Sequence, residues 1–549
     1  LFPYTTLFRS DINDWAKIML KNQDILNQNN FKKYGCQAGT CNLEVDKFTK
    51  ANINYQMIQS LIDVTDDELH QLCSASNKFI TDIANNPKAM LKAFGATETN
   101  PNKNSFQKCL LKYPELLADV YCRKSLKDLK KSLEKDLWSA KFEVDGYYTF
   151  ILPDLYAFCE WLFLGIHNPV GLLANNTVHC KLFDYGKKID CLRSPHLYQE
   201  HAIRKNVTNN EIAEWFSTNA LYTSTHDIIT KILQCDCDGD TSLVIQNDLL
   251  IKIAERNMTG IVPLYYEMHK ANAEKITPKN LYKGLSMAFT GGNIGIYSNN
   301  ISKIKNSPEI IQQGQDGEAM KCIKWLCFQN NETIDYAKTL YKSTPPKQVK
   351  QTIQKYTNRK LPHFFLYAKG KEENQVEEIN NSPVNRLKNF FPVKKLDFNF
   401  NMERLGKFDY KVLMSDVDTE VNSEIVAKFC DLTMNIKSSI TEYDKNGNYS
   451  AILNDVKKEM LKTGYNEKYV CDVLVKHLFH EVKSVDKRTF WSIYGSIVYE
   501  NVCKNLADNF SDKILNNSEN ELFNLELDQS TESIMTNQSF SQQIPFDYL

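Results

Sequence analysis

Three aspartates at alternate positions, Asp236, Asp238 and Asp240, lie in the run Cys235-Asp236-Cys237-Asp238-Gly239-Asp240. On a helix, residues two apart point to nearly opposite sides, so the three carboxylates could not converge. On extended chain, alternate residues share a face. Full extension would still hold neighbouring members ~6–7 Å apart at their Cα atoms, from a rise of ~3.3 Å per residue. The loop must therefore curl, and Gly239 is where the backbone can do so. Apolar, strand-like runs at 228–233 and 242–245 make it a turn between strands. Carboxylates this close repel one another without a cation, and an all-oxygen set calls for Mg²⁺ or Mn²⁺. Asp236, Asp238 and Asp240 are the expected catalytic and metal-binding residues.

Other chemistry shares this spacing. An exposed acidic turn that binds nothing would look the same. An EF-hand loop would need Gly at its sixth position and Glu at its twelfth, where Thr241 and Asn247 stand. A haloacid-dehalogenase-like, Mg-dependent phosphohydrolase opens with an apolar strand and D-x-D-G, its first Asp a nucleophile and its second a general acid. That family usually has Thr or Val where Asp240 stands. This reading stays open as an alternative, as does a non-enzymatic nucleic-acid-binding protein keeping a vestigial acidic turn. The phosphohydrolase requires a parallel sheet around Asp236, so a barrel there would exclude it.

The texture of the chain indicates what positions the loop. From 52 to 137 the pattern is helical. Met57, Ile58, Leu61 and Ile62 form one apolar stripe, and Thr65 with Glu68 reads as a capping box opening the next helix. A loop at 97–105 precedes a Lys-studded helical stretch at 126–138. Short apolar runs bounded by turn residues then take over, at 147–152 and 178–183, with a helix at 157–164, giving a compact barrel-like domain. Helical periodicity returns at Leu249. Residues 372–385 read as a linker or exposed loop, and the polar end of the chain cannot bury enough surface to order itself. The fold class is mixed α+β, one β-barrel domain embedded in mostly α-helical domains. The segments are 11–140 (mostly helical), 141–250 (the barrel with the acidic loop), 251–515 (mostly helical) and 516–549 (a disordered tail). Leu1 to Ser10 reads LFPYTTLFRS, like a translated sequencing adapter, and no Met opens the chain, so it is expected to be the C-terminal portion of a longer protein.

Upstream of the acidic loop stands Leu192-Arg193-Ser194-Pro195-His196-Leu197. Arg-x-Pro-x-Leu followed by D-x-D-G-D resembles the double-psi β-barrel RNA polymerase superfamily. The likeness is nearest to the single-chain RNA-dependent RNA polymerases of gene silencing and their phage and mobile-element relatives. Asn52-Ile53-Asn54-Tyr55-Gln56-Met57-Ile58 is similar to that family's "LNRQ" helix, and Thr333-Ile334-Asp335-Tyr336-Ala337-Lys338-Thr339 to its "VDFPKTG" segment. The resemblance implies that 141–250 is the second of two double-psi barrels, its three Asp binding the catalytic Mg²⁺ of two-metal RNA synthesis. It implies substrate-binding roles for Arg193, near the NTP ribose, and for Gln234, where the family has Asn. The departures are Cys237 for an apolar residue and the missing Pro in 333–339. The first barrel, with its active-site Lys residues, would precede Asn52, so the chain alone is expected to be inactive.

A template-dependent RNA polymerase needs a nucleic-acid channel. Residues 338–369 hold eight Lys or Arg and no acid, interleaved with Tyr341, Tyr356, Phe364, Phe365 and Tyr367. Lys338, Lys347, Lys350, Lys355, Arg359 and Lys360 are the candidate nucleic-acid contacts, with the aromatics for base stacking. The formal net charge of −1 excludes a global field that would draw nucleic acid or membrane, so any such surface is local. The expected partners are template, nascent RNA and NTPs, with no membrane. Fifteen scattered Cys suit reduced thiols in an intracellular, cytoplasmic protein, and Cys36, Cys41, Cys235 and Cys237 match no zinc spacing. His196 and His201 read as structural.

Overall fold

The computed structural model describes residues 48–516 except 238, 267–271, 273, 274, 276, 291, 308–316, 340, 392–404 and 444–448. The adapter-like start, Cys36 and Cys41, Asp238 itself and the tail at 517–549 lie outside the described residues. The chain forms two compact units, each built from two stretches: residues up to 76 with 135–392, and 77–134 with 393 onward. The class is mixed α+β with a barrel, as expected.

The first unit contains the barrel. Strands β1 (Gly146–Pro153), β2 (Thr177–His179), β3 (Lys188–Leu192), β4 (Ala202–Asn206), β5 (Leu221–Thr223) and β6 (Thr241–Ile245) close in the order β1-β5-β2-β4-β3-β6. Two neighbouring pairs, β1 with β5 and β2 with β4, are parallel; the other four are antiparallel. Ile151, Val178, Ile189, Cys191, Ala202, Leu221 and Val244 fill the interior and are fully buried. Closing a mixed barrel rules out the parallel sheet that the phosphohydrolase reading needs.

Several expectations are met by particular contacts. Thr65 N–H donates to Glu68 at 2.9 Å and Glu68 N–H to the Thr65 hydroxyl at 3.2 Å, the expected capping box. The helix Leu155–Leu164 is capped by Asp154, whose carboxylate also accepts from Leu172 and Leu173, so one side chain ties helix start to returning loop.

Others are corrected. Residues 228–233 are not a strand: Ile229–Ile232 is a short helix, because Ile229 and Leu233, four apart, pack on the barrel core while Ile228 faces solvent. The acidic loop thus joins a helix to a strand. The run at 178–183 pairs only as far as His179, because the Asn206 side chain clamps both the N–H and the C=O of Cys180 and bends the chain. Strands β3 and β4 were hidden by Lys188, Asp190, Arg204 and Lys205. Residues 372–385 are in part the exposed loop, with 372–375, 378, 379 and 381 exposed, but they are not a linker. Val376 bridges to Leu361, and the buried Asn385 accepts from Phe364 N–H and donates to Asn380.

Beside the barrel, the helices Ile294–Lys305 and Glu318–Thr339 share a core of Ile301, Ile304, Ala319, Ile323 and Leu326. Gly292, with φ +130°, lies in the break between Pro278–Thr290 and Ile294–Lys305. The second unit is helical around Leu110, Leu116, Leu413, Ile425, Leu474 and Val498. Its interior holds an ion pair from Lys487 to both Asp119 oxygens at 2.9 Å. Among the described residues no helix is long and apolar enough to cross a membrane.

Candidate catalytic loop and its surroundings

The loop begins where Ile229–Ile232 ends. Gln234 N–H bonds to the Lys231 carbonyl at 3.2 Å and Cys235 N–H to that of Thr230 at 3.0 Å. These are the two bonds of a Schellman helix terminus, which places Gln234 at the position glycine usually takes. Its φ is +50°, left-handed, which costs a side chain with a Cβ ~1–2 kcal/mol. Gly239, φ +127°, supplies the second turn, as the spacing required.

Between the two turns the chain alternates. Cys235 and Cys237 are partly buried against the barrel core, and Asp236 is exposed. Burial, with the neighbouring Cys237 next in effect, pushes the Cys235 thiol up to about 12, which makes it a neutral packing group at physiological pH. The loop closes at Asp240, whose C=O accepts from Ile151 N–H at 3.0 Å on β1 and whose carboxylate accepts from Asp236 N–H at 3.2 Å. Arg193, the residue after β3, reaches the same carboxylate oxygen at 2.8 Å and the Gln234 carbonyl at 2.7 Å. One guanidinium thus staples both ends of the loop to β3, whose Leu192 pairs with Leu243 on β6. Among the described residues no three His, Cys, Asp or Glu are grouped to hold a metal; Asp238, the middle acid, lies outside them. The donor chemistry of Asp236 and Asp240 is all oxygen, which fits Mg²⁺ or Mn²⁺.

Three separated segments meet here. Asn54 and Gln56 contact Ser194 and His196, at 3.4 and 3.3 Å, so the 52–58 segment holds the chain that follows Arg193. From the helix Glu318–Thr339, which carries the 333–339 segment, Asn331 Nδ2 donates to Gln234 Oε1 at 2.8 Å, and Tyr266 OH donates to the same atom at 3.3 Å. Asn331 and Tyr266 had no signal in the sequence. His201 lies deeper, bonded to Asp190 at 2.6 Å with Ser60 on its other nitrogen, and His196 is buried beside it. Both histidines are core groups.

The basic segment divides. Lys347, Lys350 and Lys360 are exposed, whereas Lys355 pairs with Glu318 at 2.7 Å and Arg359 with Glu377 at 2.8 Å. The side chain of Lys338 lies outside the described residues. Tyr356, Phe364 and Phe365 are buried core, so they cannot stack on bases; Tyr341 is exposed, and Tyr367 packs on Trp138.

No family model matches the chain. Over 478 residues it is 45% identical to the DNA-directed RNA polymerase YonO of Bacillus phage SPbeta, covering 87% of this chain and 55% of that protein. The chain is thus a homologue of this phage RNA polymerase. It spans about half the length of that relative. A solved structure, the RNA-dependent RNA polymerase QDE-1 from Thielavia terrestris, aligns with a TM-score of 0.43 and 13% identity, over 83% of this chain and 57% of that one.

Proposed function

We propose that the chain carries the catalytic loop of a template-dependent RNA polymerase, which extends an RNA 3′ end with NTPs and releases pyrophosphate. The observation that carries this reading is the acidic loop at the rim of a closed barrel, stapled by Arg193, in a chain 45% identical to a phage RNA polymerase. That relative's DNA-directed activity favours DNA as the template here. In each cycle the 3′-oxygen bonds to the α-phosphorus, the bond to the β-phosphate bridge oxygen breaks, and the hydroxyl proton leaves to solvent. Asp236, Asp238 and Asp240 would hold Mg²⁺, which when bound neutralises phosphate charge and favours the 3′-alkoxide. The chain's own residues do the positioning. Arg193 orients Asp240, Gln234 would offer its amide to the ribose, and Lys347, Lys350 and Lys360 would offer phosphate contacts. The site of action is the cell interior, where NTPs are supplied.

The test is NTP incorporation by the complete gene product containing this chain, on single-stranded DNA and RNA with Mg²⁺, beside Asp238→Asn. Synthesis on DNA, abolished in the variant, is expected. Undiminished synthesis by the variant would sink the catalytic assignment, and activity on RNA alone would overturn the DNA template.

A further inference from the structure

Gln234 is a side chain where the backbone favours none. The Schellman terminus and its left-handed φ suit glycine, yet a long amide is kept, and three groups hold it. Its carbonyl is fixed by Arg193 at 2.7 Å. Its side-chain Oε1 accepts from Asn331 Nδ2 at 2.8 Å and from Tyr266 OH at 3.3 Å. Those two partners are themselves joined, Asn331 Nδ2 donating to the phenol oxygen at 2.7 Å.

We infer that Asn331 and Tyr266 are positioning residues for sugar recognition: by holding the carbonyl end of the Gln234 amide they turn its NH₂ end toward the ribose hydroxyls of the incoming nucleotide. This rests on the polymerase reading above. Both side-chain bonds end on Oε1, so Nε2 is the end directed away from them. An NH₂ group donates to a hydroxyl oxygen. Asn331 sits on a rigid support, since Ile323, Leu326 and Cys327 of the same helix are buried in the neighbouring core. Tyr266 packs edge-on to Phe328 at 5.2 Å and also reaches the Cys327 carbonyl at 3.3 Å. Burial raises its phenol well above the usual range, so it stays a donor. An amide held for a hydroxyl is left unpaired by a 2′-deoxynucleotide, and that loss is what discriminates.

The experiment compares kcat/KM for NTP and 2′-dNTP incorporation by the complete gene product. Asn331→Leu should lower the preference for NTP by about five- to tenfold, the value of one hydrogen bond at a defined site. Tyr266→Phe, losing the longer bond, should lower it by about two- to threefold. Asn331→Asp keeps the volume but can only accept, so it draws in the NH₂ end, reverses the amide and also lowers the preference. In a Gln234→Ala background, Asn331→Leu should change the preference no further. Equal losses with both sugars, or an undiminished Asn331 effect without the Gln234 side chain, would overturn the positioning role. If Gln234→Ala leaves the preference intact, ribose recognition by Gln234 fails. No incorporation by the parent protein would remove the polymerase reading and this inference with it.

Discussion

Asp240→Asn and Arg193→Met break the same 2.8 Å ion pair from opposite ends, which separates holding the loop from doing chemistry. The two side chains are 27% and 24% exposed. A fully exposed pair contributes ~0.2–1 kcal/mol, and breaking a buried one costs about 3–5 kcal/mol. A pair of intermediate exposure should cost ~1–2 kcal/mol, the larger loss falling on Arg193→Met, which also gives up the bond to the Gln234 carbonyl. In a unit of this size that lowers Tm by roughly 2–8 °C. Activity should split the opposite way. Asp240→Asn removes an anionic ligand at the reacting centre and should cut RNA synthesis on the order of 10³-fold. Arg193→Met leaves the carboxylates in place and removes their orientation, a loss of about 10–100-fold. The assays are calorimetric melting and NTP incorporation by the complete gene product, with the double variant closing a cycle. Asp240→Asn within a few-fold of the parent would refute the catalytic role and leave a vestigial acidic turn. Equal activity losses from the two variants would mean that the loop's placement alone was being measured.

Asp154→Ala deprives Tyr156, Ala157, Leu172 and Leu173 of the acceptor for their N–H groups. It should cost about 2–4 kcal/mol, read by urea unfolding, with faster amide exchange at Leu172 and Leu173. In the second unit, Lys487→Met strands a buried Asp119 and should cost ~3–5 kcal/mol, largely recovered by adding Asp119→Leu, again by urea unfolding. Hydrogen bonds from Arg256 draw Glu68 down to about 2 from an ordinary value of 4.5. A depressed carboxylate stabilises above its unfolded pKa and loses that contribution as pH falls through its folded one. Melting temperature should therefore fall between about pH 4.5 and 2, less steeply in Arg256→Met, with solvent screening keeping the effect small. Finally, Lys347, Lys350 and Lys360 changed together to Ala should flatten the salt dependence of single-stranded DNA binding by ~2 in log–log slope, if each releases a counterion.

What the sequence displayed was set by how local each signal is. The Asp spacing and the Gly239 turn are fixed within a few residues, and β1, β6 and the Thr65 capping box follow from short patterns. Residues 228–233 misled because six apolar-rich positions satisfy both a strand and a single helical turn, and only packing on the barrel selects the i, i+4 pair Ile229 and Leu233. β3 and β4 were concealed because their polar residues are satisfied by distant partners: Asp190 by His201, Arg204 by Asp227. The basic run looked like a stacking channel because composition cannot tell an exposed Tyr341 from a buried Phe364. The same limit hid the partners of Gln234, which come from 32 and 97 residues away. Yet the strain at Gln234 follows from where the helix ends. A glutamine at a helix terminus that favours glycine is a local anomaly with a distant cause. Here the strained residue carries a side chain bonded to Asn331 and Tyr266, and it borders the acidic loop.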